Sequence, residues 1–329
     1  MKIIDCDSHY LPESLSTLVY QVDPVTVAEN TKPPFAFCDV RGMTHIDDRL
    51  NDFSQLKITK QLLCPQEWAM RFNYSVDPTL ATDMCKKFNN EVKQVVDLHP
   101  SRFFAAAVLP IQNMPEAIKE LHRVVSLGFK IIYVDNIYIT SETNLAITEV
   151  PGIEEIFTIC EQNNIVVYFH SMMHHTYPFK DLYRNIQAFL PGPIQINIYS
   201  VISSGLFDRY PALQVVFAEG ADRFIPGVYN VISHVYASNR MPHAIDRHPL
   251  EYFKNNISVC VDIEKQDSFR FILNNFGSER ILFSTDYPHD DESGKNQFND
   301  VNDLLALNLN QIDLENIAFK NAERLFQLL

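Results

Sequence analysis

A chain of 329 residues exceeds the usual ~100–200 of one domain but suits a single elaborated α/β barrel. Hydrophobic residues at 46% and charged residues at 21% imply a large buried core and exclude a disordered chain. The formal charge of −14, with acidic residues scattered and no Lys/Arg-rich run, argues against nucleic acid as a partner, so any anionic ligand must be drawn in by local cations or a metal.

Cys6, Cys38, Cys64, Cys85, Cys160 and Cys260 contain no CxxC pair and read as small buried hydrophobes, not as a disulfide framework. The first residues enter a strand-like run at once, and no uncharged stretch reaches the length of a membrane span. The expectation is a soluble cytoplasmic protein without a membrane partner.

In chain order, a strand over 3–6 is followed by Asp7-Ser8-His9, and then by a stretch from 11 to 57 with Pro24, Pro33 and Pro34 and no strong period. That stretch reads as an irregular insertion over one face. A strand over 58–63, a helix over 78–98, a strand over 103–109, a helix over 115–127 and a strand over 129–134 come next, then a helix over 153–163 and a strand over 165–169. Strands over 214–217, 257–261 and 281–283 alternate with helices over 226–238 and 268–276, and residues 314–329 read as closing helices. Most strands are continuously apolar, as in a parallel sheet buried on both faces, and several helices open with proline near the first turn. Eight strands with interleaved helices predict a distorted (β/α)₈ TIM barrel spanning 1–329. An open doubly wound sheet would call for a Gly-rich turn after the first strand, where Asp7-Ser8-His9-Tyr10 stands instead.

Polar residues recur where these apolar strands stop. Asp7 and His9, two apart in extended chain, project to one side; His170 ends the fifth strand, and Asp286 follows the eighth. Catalytic groups of such barrels come from the C-terminal ends of different strands, so Asp7, His9, His170 and Asp286 form a candidate mixed N/O site for zinc, manganese or iron(II). Glu219 ends the sixth strand and is a candidate general acid/base or further ligand. His174 and His175 follow His170, and His289 and Asp290 follow Asp286, ringing the same opening. Arg41, Arg49, Arg71, Arg223 and Arg240 are candidate carboxylate clamps. The G-x-S-x-G elbow and the phosphate loop are absent.

Asp5-Cys6-Asp7-Ser8-His9, Phe169-His170, Ala218-Glu219-Gly220 with Ile225-Pro226, Ser284-Thr285-Asp286-Tyr287-Pro288-His289 and Asn321-Ala322-Glu323-Arg324-Leu325-Phe326 together resemble the amidohydrolase-related family 2 over nearly the whole chain. The best-understood branch of that family contains aminocarboxymuconate-semialdehyde and resorcylate-type decarboxylases, which use one zinc or manganese ion; other members hydrolyse amides, lactones or related bonds. The resemblance implies metal ligands Asp7, His9, His170 and Asp286, a small organic acid as substrate, and a homodimer; placement at the strand ends and the loop beyond makes Glu219, Asp286 and His289 the candidate catalytic groups. Two departures stand out. Glu219 occupies the end of strand six where those decarboxylases place a histidine, and the following helix reads Val228-Tyr229-Asn230-Val231-Ile232-Ser233-His234 without the expected arginine. Arg223, His174 and His234 are then the substrate-side candidates. Non-oxidative decarboxylation is the first expectation, and metal-dependent hydrolysis of an amide, lactone or related bond is the alternative.

Overall fold

A computed structural model describes residues 1–16, 41–66, 77–135, 137–139, 144–170, 192–218, 221–241, 245–261, 263, 266–289 and 299–328. The strands are β1 Ile4–Asp5, β2 His9–Tyr10, β3 Lys60–Pro65, β4 Phe103–Ala105, β5 Ala107–Val108, β6 Ile131–Asp135, β7 Ile137–Ile139, β8 Asn144–Ala146, β9 Val166–His170, β10 Val215–Phe217, β11 Ile257–Val261 and β12 Ile281–Phe283. All eight predicted strands are present. All pairings are parallel except the short β7–β8 hairpin.

The first stave is split. β1 pairs with β3 at Asp5–Gln61, but β2 pairs with it at His9–Cys64, so the first strand fits one more residue into the interval than its partner does. Such a bulge re-aims side chains at the rim of a barrel, and Asp7 and Ser8 lie inside it. The ladder continues through β4, crosses at Ala106, whose amide donates to the Leu63 carbonyl at 3.2 Å, and resumes from β5 through β6, β9, β10 and β11 to β12. The ring closes where the Cys6 amide donates to the Phe283 carbonyl at 2.9 Å and Ser8 bridges to Tyr287. One contiguous apolar core, including Ile4, Leu62, Val167, Phe217, Val259 and Leu282, fills the interior and the space beneath the helices.

The helices Pro78–Leu98, Met114–Ser126, Ile153–Asn163 and Gln266–Phe276 follow the predicted spans to within two residues. Two expectations are corrected. Residues 11–57 are not irregular throughout, because Ile46–Leu56 is a helix that buries Arg49, Phe53 and Leu56. Its stripe is hard to read because a charged residue, Arg49, occupies a core position. The helix expected to open at Pro226 begins at Ala221 and carries Pro226 inside, so the proline costs one hydrogen bond near the start instead of marking it. The C-terminal segment packs as helical turns over Gln311–Phe326, with Asn321 Nδ2 donating to the carbonyls of Ser278 and Ile281 at the foot of β12. The five described cysteines are buried and free. Among the described residues, no helix is long and apolar enough to cross a membrane.

Candidate metal centre

Asp7, His9 and His170 bring one ligand-type atom each to within 4.8 Å of one another, as do His9, Asp286 and His289, and His9 joins the two groups. Each side chain arrives on a strand end. His170 closes β9, where its ring stacks on Tyr133 from the neighbouring β6 at 5.6 Å between centroids. The His9 ring lies edge-on to His170 at 4.8 Å and is tilted at 53° against His289 at 4.8 Å. His9 Nδ1 lies 3.4 Å from the Pro65 carbonyl, an interaction that orients the ring and directs Nε2 toward Asp286 Oδ1 at 2.9 Å.

Asp286 is held in a left-handed backbone conformation, φ 55°, uncommon for a side chain other than glycine and frequent at functional loops. Its amide donates to the Asp7 carbonyl at 3.0 Å, its carbonyl accepts from the His289 amide at 2.9 Å, and the His9 amide donates to the Tyr287 carbonyl at 2.7 Å. The two acidic loops are therefore laced to each other by backbone.

Beneath them sits a buried polar layer. The Asp5 carboxylate accepts from the amides of Asp7 and Thr285 at 3.2 and 3.1 Å, and from Gln61 Nε2 and Thr285 Oγ1 at 2.7 Å each. Gln61 Oε1 accepts from Arg49 Nη1 at 2.8 Å, while Arg49 also donates to Ser8 Oγ and to the Gly42 carbonyl and lies over the Tyr287 ring at 4.9 Å. Arg49 is thereby a structural anchor committed to the loops.

Burial lifts Asp7 to about 7, with the His9 charge opposing and the Asp286 charge adding to the rise. Burial also lifts Asp5 to about 6 against its four hydrogen bonds. For Asp286, the upward push of burial is outweighed by the His289 charge, the hydrogen bond from His9 and the charges of His9 and His170, leaving it below the usual carboxylate value. Asp7 Oδ1 lies 3.9 Å from His170 Nε2 and, like His289 Nε2, is buried without a hydrogen-bond partner among the described residues. Two imidazoles and two carboxylates converging in this way, with a carboxylate oxygen left bare, are the donor set of a divalent transition-metal site.

Other sequence candidates fall elsewhere. Glu219, His174, His175, Asp290 and Arg71 lie outside the described residues. Arg223 is half-buried in the first turn of helix Ala221–Ala237, which begins on the strand-end face just after β10. His234 is exposed in the last turn of that helix, about 20 Å along its axis from the first residue, and is not brought to the metal group. Arg240 is exposed, and Arg41 pairs on the surface with Asp48 and Asp52 at 2.5 and 2.9 Å. Sequence reasoning missed Asp5, Gln61, Tyr133 and Thr285, and also Tyr168, whose hydroxyl donates to the Cys6 carbonyl at 2.8 Å next to Asp7. For Asp5 and Tyr168 a signal existed: each stands two residues before a ligand candidate and so shares its side of the strand.

A family model described as amidohydrolase matches residues 4–328. Among curated proteins, the chain is 28% identical over 228 residues to 2-amino-3-carboxymuconate-6-semialdehyde decarboxylase of Dictyostelium discoideum, covering 66% of this chain and 60% of that protein's length. It is 25% identical over 266 residues to a gamma-resorcylate decarboxylase of a Rhizobium species, covering 77% of this chain and 78% of the relative. In solved structures, a dihydroxybenzoic acid decarboxylase of a Polaromonas species, with bound manganese and 2-nitroresorcinol, superimposes with a TM-score of 0.82 at 21% identity, covering 99% of this chain and 97% of the other. The 5-carboxyvanillate decarboxylase of Sphingomonas paucimobilis gives 0.83 at 18% identity, covering 100% and 99%. These likenesses show that the fold is the barrel of those enzymes.

Proposed function

The chain belongs to the amidohydrolase family, and from that premise we propose that it is a metal-dependent carboxy-lyase that removes CO₂ without oxidation from a small aromatic or conjugated carboxylic acid. The observation that carries this reading is the convergence of Asp7, His9, His170 and Asp286 at the strand ends of a barrel shared with aromatic-acid decarboxylases. These four residues would hold one divalent ion, zinc or manganese. A bound ion supplies the positive charge that draws in an anionic acid and steadies the electron pair left on carbon as CO₂ departs.

The chain's own residues supply the rest. Breaking the C–C bond releases CO₂ and leaves its electron pair on the substrate carbon, which must then take a proton. His289 lies against His9, and its ring nitrogen gathers with ligand atoms of His9 and Asp286, so its imidazole is the group we assign to deliver that proton. Glu219 is the second candidate for that proton, and Arg223 and His174 the candidates for orienting the acid. We further infer that the chain acts as one domain, in the cytoplasm, as a homodimer; light scattering tests the last point.

The test is product identity. Metal-loaded enzyme given a panel of hydroxybenzoic and conjugated dienoic acids should release CO₂ from at least one, and chelation should abolish the release. Absence of CO₂ across the panel, together with oxygen from labelled water appearing in the products of amide or lactone substrates, would replace decarboxylation by hydrolysis.

A further inference from the structure

We propose a second ligand site at the opposite end of the barrel, a pocket for a small oxyanion of the size of phosphate held by Arg280 and Arg324. A cavity of about 210 Å³ opens there, lined by Val166, Gln214, Asn255, Arg280 and Arg324 among others. These residues stand at the N-terminal ends of β9 to β12 or pack beneath them, whereas the metal group stands at the C-terminal ends. Val166 opens β9 and His170 closes it, which separates the two sites by roughly 13 Å of strand.

Among the described residues, the two guanidinium groups lack the carboxylate partner that several other arginines have. Arg41, Arg123, Arg209 and Arg247 each meet a carboxylate within ion-pair distance. Arg280 is partly buried, donates Nη1 to Gln214 Oε1 at 3.1 Å, and keeps a buried Nε with no acceptor among the described residues. Arg324 donates Nη2 to the Glu279 carbonyl at 2.9 Å, and neither arginine forms an ion pair among the described residues. Two cations side by side, one of them desolvated, repel each other; burial and Arg324 pull Arg280 down to about 10, against a smaller opposing pull from the Glu279 charge.

A compact anion resolves this arrangement, because a guanidinium fork matches two oxygens of a carboxylate or phosphate and offers charge-assisted hydrogen bonds. Among the described residues lining the cavity, the carboxylate is Glu161, whose Oε1 accepts from the Ala212 amide at 2.8 Å, and Gln214 Nε2 donates to the Asn255 carbonyl at 3.1 Å. The cavity is small and the two guanidinium groups are its cationic lining, which suits a compact oxyanion.

Calorimetric titration of inorganic phosphate into the metal-loaded enzyme tests the site, with Arg280→Gln and Arg324→Gln measured beside wild type, each with and without chelator. The expected result is one phosphate per chain that survives chelation and binds at least tenfold more weakly in either variant. Arg324 is exposed, so its substitution leaves the fold intact even if Arg280→Gln does not. Binding that disappears on chelation and is unchanged in Arg324→Gln would place phosphate at the metal and overturn the proposal. The absence of saturable binding at millimolar phosphate would also overturn it.

Discussion

Replacing Asp5 by asparagine separates what the buried carboxylate costs from what it does. Asp5 is fully buried and held at about 6, chiefly by desolvation, against an ordinary value of 3.8. A carboxyl whose value is raised in the fold binds its proton more tightly folded than unfolded. Stability is therefore complete below pH ~4, declines as pH rises from ~4 through ~6, and by pH 8 has lost about 3 kcal/mol to this one group. Asparagine mimics the protonated acid and does not titrate. It also turns an acceptor into a donor facing Gln61 Nε2, whose own oxygen is taken by Arg49. That mismatch adds a pH-independent penalty of ~1–3 kcal/mol. In urea unfolding of metal-free protein, the stability difference, variant minus wild type, should thus rise by about 3 kcal/mol in favour of the variant between pH 4 and pH 8. Because Asp5 holds the amides of Asp7 and Thr285, the variant should bind its metal roughly 10–100-fold more weakly. A stability difference independent of pH, or one moving the other way, would refute the reasoning.

Asp286→Asn should lower kcat roughly 10²–10⁴-fold in steady-state assays of CO₂ release, even at metal concentrations that saturate the variant. Gly42 adopts φ +84°, and a Cβ there would meet the Tyr287 hydroxyl at 2.0 Å. Gly42→Ala should therefore lower the unfolding free energy by ~1–3 kcal/mol and weaken metal binding through the displaced loop, read by denaturation and by competition with a chromogenic chelator. Adding metal to one hundred times its dissociation constant should stabilise the wild-type protein by about 2.7 kcal/mol. The same addition should leave His170→Ala unmoved in a thermal melt.

Much of the barrel was legible because its strands are short apolar runs flanked by polar stops, as in Val166–His170 and Ile257–Val261. The ligand candidates were legible for the same reason, since Asp7, His170 and Asp286 are the first charged or imidazole groups beyond buried strands. What escaped was everything that depends on contact between distant segments. Arg49 reads as a candidate carboxylate clamp because a buried guanidinium is rare, and only the meeting of helix Ile46–Leu56 with β1, β3 and the loop after β12 shows what it anchors. Tyr133 lies in an apolar strand with no local mark, and its place against His170 follows from the β6–β9 register. The bulge between β1 and β2 was equally hidden, being a difference between two registers and not a property of either sequence. Pro226 misled because the signal for a helix start and the tolerated proline of a second turn are the same residue.

The most direct measurement is the metal content of the purified protein beside its single-site variants. Wild type, reconstituted with manganese or zinc and freed of excess ion, should carry one equivalent per chain by elemental analysis. Asp7→Asn, His9→Ala and His170→Ala should each fall well below that while remaining folded by circular dichroism. Full occupancy retained in all three variants, or no stoichiometric ion in the wild type, would contradict the assignment of these residues to a metal site.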